Sequence, residues 1–144
     1  MTISGTQSVP APRERVFTML LDPAVLQRAI PGCEEIAPTG EGAFRIKMSA
    51  GIASIRGKVE GQIQVQESRA PEHYRLAMSG KGMGSFVEGW ADIDLTDAEG
   101  VTQVAYSGEA KIGGMIAAVG NRMIDLAVKK ALTDFFERLK KEAA

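Results

Sequence analysis

This chain of 144 residues is poor in the residues that usually carry chemistry: it has one cysteine and one histidine, and only 6% of it is aromatic. A lone cysteine makes no internal disulfide and no thiolate metal site by itself, and it fits a reducing compartment. Positive and negative side chains nearly cancel, to a net charge of −1, so no sequence-independent grip on nucleic acid is expected. No apolar run approaches the roughly 18 residues of a membrane span. The opening "MTISGTQSVPAPRERVF" has no apolar core of the signal-peptide kind. A cytoplasmic protein is expected. No repeat, low-complexity segment or linker divides the chain, so a single domain over residues 1–144 is expected. That length can bury about two thirds of its unfolded surface without staples.

What the sequence does have is alternation. "TISGTQSV" reads as a first strand. In "PAPRERVFTMLLDP" Pro12 can open a helix whose apolar face is Val16, Phe17, Leu20 and Leu21. Asp22-Pro23 breaks it and starts a second short helix, closed by Pro31-Gly32, before a short strand at 33–37. From residue 42 the chain becomes a meander. "AFRIKMSA", "SIRGKVEGQIQVQE", "HYRLAMSGKG", "FVEGWADIDL" and "VTQVAYSGEAKI" each keep apolar or small residues on one side and charged residues on the other. A long helix over roughly 114–141 closes the chain, with cations in its second half where the helix dipole favours them. One-faced alternation predicts an antiparallel sheet with one wet side, and the last helix is the element long enough to cover the other. The expected fold is a two-layer α+β domain, a curved antiparallel sheet wrapped around the C-terminal helix.

Two features point to a cavity. Gly57, Gly61, Gly80, Gly89, Ala91, Gly108 and Ala110 all fall on the inward face. Glycine weakens strands, so its repeated use calls for either tight curvature or empty volume, two compatible readings. The second feature is the contrast between the ends of the sheet. "TGEG", "SRAPE" and "DAEG" are polar turns at one end. "AGIAS", "GKGMGSF" and "IGGMIAA" at the other end are glycine-rich and apolar. Such a rim suits the mouth of an apolar pocket or a docking surface; the plainer reading is that it caps the core.

Catalytic groups are scarce on the inward face, where Tyr74 and Tyr106 are the titratable exceptions. His73 is expected as a solvated turn residue, and Asp92 and Asp94 as part of the wet face. Glu88 and Trp90 share that outward parity unless a bulge at Gly89 turns one of them in. "GKGMG" lacks the following helix and Lys-Ser/Thr pair of a phosphate loop, and no metal-ligand spacing is evident. Cys33 has no histidine near it in sequence to activate it and reads as a small hydrophobe.

The segments "AIPGCEEI", "IRGKVEG", "GMGSFVEG", "YSGEAKIGGMIAAVGNRMI" and "ALTDFFERL", in that order, resemble the family of the carbon monoxide dehydrogenase G subunit. That family belongs to the START-like, helix-grip superfamily of polyketide cyclase and lipid-transfer relatives. The resemblance implies a helix-grip fold, a curved seven-stranded sheet with two short helices after the first strand. It also implies a non-catalytic accessory protein that works with the subunits of a molybdenum hydroxylase, aids membrane recruitment at the cytoplasmic face, and binds a quinone or lipid, with no covalent cofactor or metal. Some members carry a C-terminal extension suited to membrane attachment; here the sequence ends in "KKEAA", which leaves peripheral contact to the rim loops. On this reading the hydrophobic small molecule lies among Phe44, Met48, Val59, Met78, Val87, Ala91, Tyr106, Ile116, Val119 and Met123. Ile52, Met83, Phe86, Gly113, Gly114 and Met115 form the mouth. The rivals are an enzyme of the cyclase kind, needing Tyr74, Tyr106, Glu88 or Arg122 in a wet pocket, and a docking module with a collapsed core.

Overall fold

A computed structural model describes residues 1–52 and 54–144. Of the apolar-end segment "AGIAS", Ala53 lies outside the described residues. The elements are β1 (Thr2–Val9), α1 (Arg13–Leu20), α2 (Pro23–Ala29), β2 (Cys33–Gly40), β3 (Ala43–Ile52), β4 (Ile55–Arg69), β5 (His73–Gly82), β6 (Ser85–Ala98) and β7 (Val101–Gly114), followed by a 3₁₀ turn (Ile116–Val119) and α3 (Asn121–Ala143). The seven strands form one sheet in the order β1-β7-β6-β5-β4-β3-β2. Every neighbouring pair is antiparallel. With α3 on the inner face, this is the two-layer α+β arrangement expected from the alternation and the helix grip that the resemblance implies.

Local chemistry explains most boundaries. The Asp22 carboxylate accepts a hydrogen bond from the Ala24 N–H at 2.9 Å, and Pro23 takes the first turn of α2, where its missing N–H costs nothing. Pro12 is a correction. It was expected inside α1, yet its ψ of 151° is extended, so it caps the helix and Arg13 is the first helical residue. The second strand also runs on to Gly40, past the expected 37, because its pairing with β3 continues through Ala37↔Arg45 and Pro38↔Phe44.

The larger correction concerns the last helix. It was expected from residue 114, but β7 keeps pairing with β6 as far as Ser85↔Gly114. The chain then makes the 3₁₀ turn and passes through Gly120 at φ 97°, a left-handed conformation that only glycine adopts cheaply. α3 therefore begins at Asn121, and a helical phase read across Gly120 has no meaning.

The core is graded. Val9, Val16, Leu20, Tyr74, Ile93, Leu95, Val104, Phe136 and Leu139 are buried together where α1 and the C-terminal half of α3 meet the sheet. Leu26, Ile36, Phe44 and Ile46 form a smaller cluster under α2. Thr102, fully buried, donates to the Ala11 carbonyl at 2.7 Å and pins the segment between β1 and α1 to β7.

Candidate functional site

Between the inner face of the sheet and α3 lies an apolar cavity of about 440 Å³. That is within the usual range of small-molecule sites, roughly 300–1,000 Å³. Its sheet wall includes Phe44, Met48, Ile63, Met78, Val87, Ala91, Val104 and Tyr106. The helical wall is Leu20, Leu21, Leu26 and Ile30 from the two short helices and their C-caps and Val128, Ala131, Leu132, Phe135 and Phe136 from α3. The ring of Tyr106 stacks on Phe136, centroids 5.7 Å apart, and Phe135 meets Phe136 edge-on at 5.2 Å.

The inward glycines serve curvature as well. A Cβ on Gly108 would run into the Trp90 carbonyl oxygen and lie 2.8 Å from the Ala91 Cα. One on Gly89 would lie 2.5 Å from the Glu109 carbonyl oxygen. At these two positions the β6–β7 pair bends so tightly that no side chain fits. At Gly5 the reason differs: the Tyr106 ring lies over it, where a Cβ would meet the phenol.

Two of the cavity's wall residues carry phenols. Tyr74 is 2% exposed and meets Phe17 edge-on at 5.4 Å. Burial alone pushes its phenol well above the ordinary tyrosine value, with no hydrogen bond or charge contributing. Among the described residues no lysine or arginine belongs to the walls, whose charged residues are Met1, by its ammonium, and Glu109.

The family model for the G subunit of carbon monoxide dehydrogenase (CoxG) matches residues 5–144. The chain belongs to this family. It is also similar to a conserved protein from Geobacillus kaustophilus, at 33% identity and a TM-score of 0.94, covering 99% of this chain and 95% of that one. A START superfamily protein from Mycobacterium smegmatis shares the fold at 12% identity, with a TM-score of 0.75 and coverage of 99% and 96%. The ZhuI aromatase/cyclase from Streptomyces sp. R1128 does so at 15% identity, with a TM-score of 0.70 and coverage of 99% and 93%. No curated protein matches the sequence.

In this CoxG-family chain the residues expected around a guest divide. Phe44, Met48, Met78, Val87, Ala91 and Tyr106 line the cavity. Val59, Ile116, Val119 and Met123 do not. Val59 lies against a charged cleft instead, Ile116 and Val119 belong to the 3₁₀ turn, and Met123 sits 42% exposed on the outer side of α3. The last three were assigned by the helical phase that Gly120 breaks. Started at Gly120, the 3–4 spacing of Val128, Ala131, Leu132 and Phe135 would have found the helical wall.

The expected mouth residues Ile52, Met83, Phe86, Gly113, Gly114 and Met115 are not wall residues either. Several cover glycine gaps at the sheet tips: Met83 rests on Gly57, Phe86 crosses Gly113 and Met115 approaches Gly84. Phe86 and Met115 nonetheless keep 44% and 57% of their surface exposed, as does Leu126 with 56%.

The remaining candidates separate from the cavity. Glu88 and Arg122 are exposed, so the tyrosines, Glu88 and Arg122 do not converge. The β6 pairings run without a shift through Gly89, leaving Glu88 and Trp90 on the outer face. A larger cleft of about 550 Å³ lies among Glu34, Glu35, Lys47, Lys58, Glu60 and Lys81. Its charges neutralise one another, Lys58 Nζ lying 2.7 and 2.9 Å from the two Glu34 oxygens, which leaves no net charge to select a ligand. Cys33 is half-buried, and burial raises its thiol pKa, the opposite of an activated nucleophile.

His73 was expected in solvent and is instead buried, its Nδ1 2.8 Å from an Asp94 oxygen. Ligand atoms of Glu67, His73 and Asp92 lie within 4.8 Å of one another, a grouping that only the cross-strand register assembles. Arg75 already occupies it, donating to both Asp92 oxygens at 2.8 and 2.9 Å while its guanidinium stands 4.5 Å over Trp90. A cation in the same place would meet that guanidinium, so the group reads as an ion-pair network on the wet face.

Proposed function

We propose that this CoxG-family protein is a non-catalytic accessory protein that binds a hydrophobic ligand, a quinone or lipid, in the helix–sheet cavity. The observation that carries the reading is a ligand-sized apolar cavity with no catalytic constellation converging on it among the described residues. Family membership supports a place beside a molybdenum hydroxylase of the carbon monoxide dehydrogenase type. Among the described residues no helix is long and apolar enough to cross a membrane. Recruitment of the enzyme would then rest on peripheral contact, for which exposed Phe86, Met115, Met123 and Leu126 are the apolar side chains available.

The test is organic extraction of the purified protein followed by mass spectrometry, repeated after incubation with quinone-containing membranes. A near-stoichiometric quinone or lipid is the expected result. A blank in both preparations would remove the ligand-binding role and leave docking to the partner enzyme.

A further inference from the structure

Within the cavity one polar group stands apart. Tyr74 is almost entirely buried, forms part of the wall, and has neither a hydrogen-bond partner nor a charge beside its phenol. Its oxygen is not sealed off, since among the described residues the fully buried side-chain polar atom without a partner is Arg13 Nε; a guest that fills the space beside the Tyr74 hydroxyl would have to meet its hydrogen-bonding need. The other wall phenol, Tyr106, likewise has no side-chain hydrogen bond among the described residues, but it is less buried and its oxygen lies against Gly5 of the edge strand β1, with its ring face held by Phe136. Tyr74 sits at the α1 end of the cavity, where Phe17 of that helix packs on its ring and its strand partner is Ile93.

We infer that the Tyr74 hydroxyl donates a hydrogen bond to an uncharged carbonyl oxygen of the guest, so the guest's polar end points toward α1. The inference rests on the cavity binding a guest at all. Two features select the acceptor. The phenol holds its proton firmly and so acts as a donor. Among the described residues the walls contain no lysine or arginine; their charged residues are Met1, whose ammonium already donates to the Ala110 carbonyl at 3.0 Å, and Glu109, both on the β1–β7 side with β6 between them and Tyr74, so a carboxylate at Tyr74 would be unpaired and expensive. A neutral ketone, ester or quinoid carbonyl satisfies both conditions, whereas a fatty-acid carboxylate can accept from the phenol but fails the second.

The experiment uses three water-dispersible probes that displace Nile red from the whole protein: methyl undecyl ketone, its isosteric analogue with CH₂ in place of the carbonyl oxygen, and dodecanoate. Each is titrated against wild type, Y74F and Y106F. The ratio of ketone to analogue affinity should fall about three- to tenfold in Y74F, the worth of one neutral hydrogen bond. It should stay unchanged in Y106F. Dodecanoate should bind at least about tenfold more weakly than the ketone. Ligand-free Y74F should melt no lower than wild type, because the hydroxyl it loses has no structural partner. An unchanged ratio in Y74F, a ratio lost in Y106F instead, or dodecanoate matching the ketone would overturn the inference while leaving the cavity a binding site. A marked drop in the melting temperature of Y74F would also overturn it, by showing a structural role for the hydroxyl. If neither dye nor probes bind to wild type, the ligand-binding reading falls and this inference with it.

Discussion

The two ends of the sheet are built from the same alternating pattern and pack differently. At the α1 end the inward positions of β6 and β7 are Ile93, Leu95, Thr102 and Val104, all buried, with Val16 and Leu139 fully enclosed against them. Toward the glycine-rich end the inward positions of β6 are Val87, Gly89 and Ala91, and they are only half covered. Large side chains fill the first end to core density. Small ones leave the second hollow, because α3 crosses the sheet at a distance set by the bulky end and cannot settle onto the small residues. The cavity is the difference between the two.

Truncating the filled end should cost most. Leu139→Ala removes a side chain with no exposure from a dense site and should destabilise by about 2–5 kcal/mol. Met78→Ala, on the cavity wall, should cost less than half as much, because its side chain already borders empty space. Paired denaturant unfolding curves measure both, and equal costs would erase the distinction between the ends.

Overfilling the bend comes next. Gly108→Val places a side chain against the Trp90 carbonyl and the Ala91 backbone and should cost about 1–3 kcal/mol by forcing β6 and β7 apart. The same change at Gly100, where a Cβ meets nothing, carries only the cost of its φ of 80°. If Gly108→Val unfolds like the wild type, curvature is not what requires that glycine.

The smallest effect concerns acid. Arg75, by its hydrogen bonds and then its charge, holds the Asp92 carboxyl below the ordinary carboxylate value, and Arg28 does the same for Glu142 near the end of α3. Their native pKa values are depressed, so the unfolded chain takes up protons first as the pH falls. The stabilisation is present above the ordinary carboxylate pKa of about 4 and is lost as the pH drops through the native values. For the partly exposed Asp92 pair it amounts to no more than about 1 kcal/mol. Thermal melts from neutral to acid pH should show a shallower decline for Asp92→Asn than for wild type. An unaltered profile would assign the acid sensitivity elsewhere.

Much of this was legible in the residues. Strand alternation is a local rule with a period of two, and it placed the inward residues of β4, β6 and β7 correctly, down to Glu88 and Trp90 facing out. Six of the ten residues expected around a guest lie on the cavity wall for the same reason. Three of the four misplacements came where a local pattern was carried past a break; Val59, within β4, is the exception. Gly120 resets the helical phase, so Ile116 and Val119 were counted into a helix that begins only at Asn121, and Met123, within α3, was put on its inner side although it is 42% exposed. His73 looked like a turn residue because its partners, Asp92 and Asp94, are 19 and 21 positions away and meet it only through the β5–β6 register.

By itself, then, the sequence determined the order of elements, the sheet's wet and dry faces and the small residues that hollow one end of it, since each follows from neighbours a few positions apart. The tertiary structure alone decided where α3 begins to face the sheet, which of the two tyrosines is almost fully buried, and that Arg75 fills the group formed by Glu67, His73 and Asp92. Those outcomes depend on distances between segments far apart in the chain, and no local period encodes such distances.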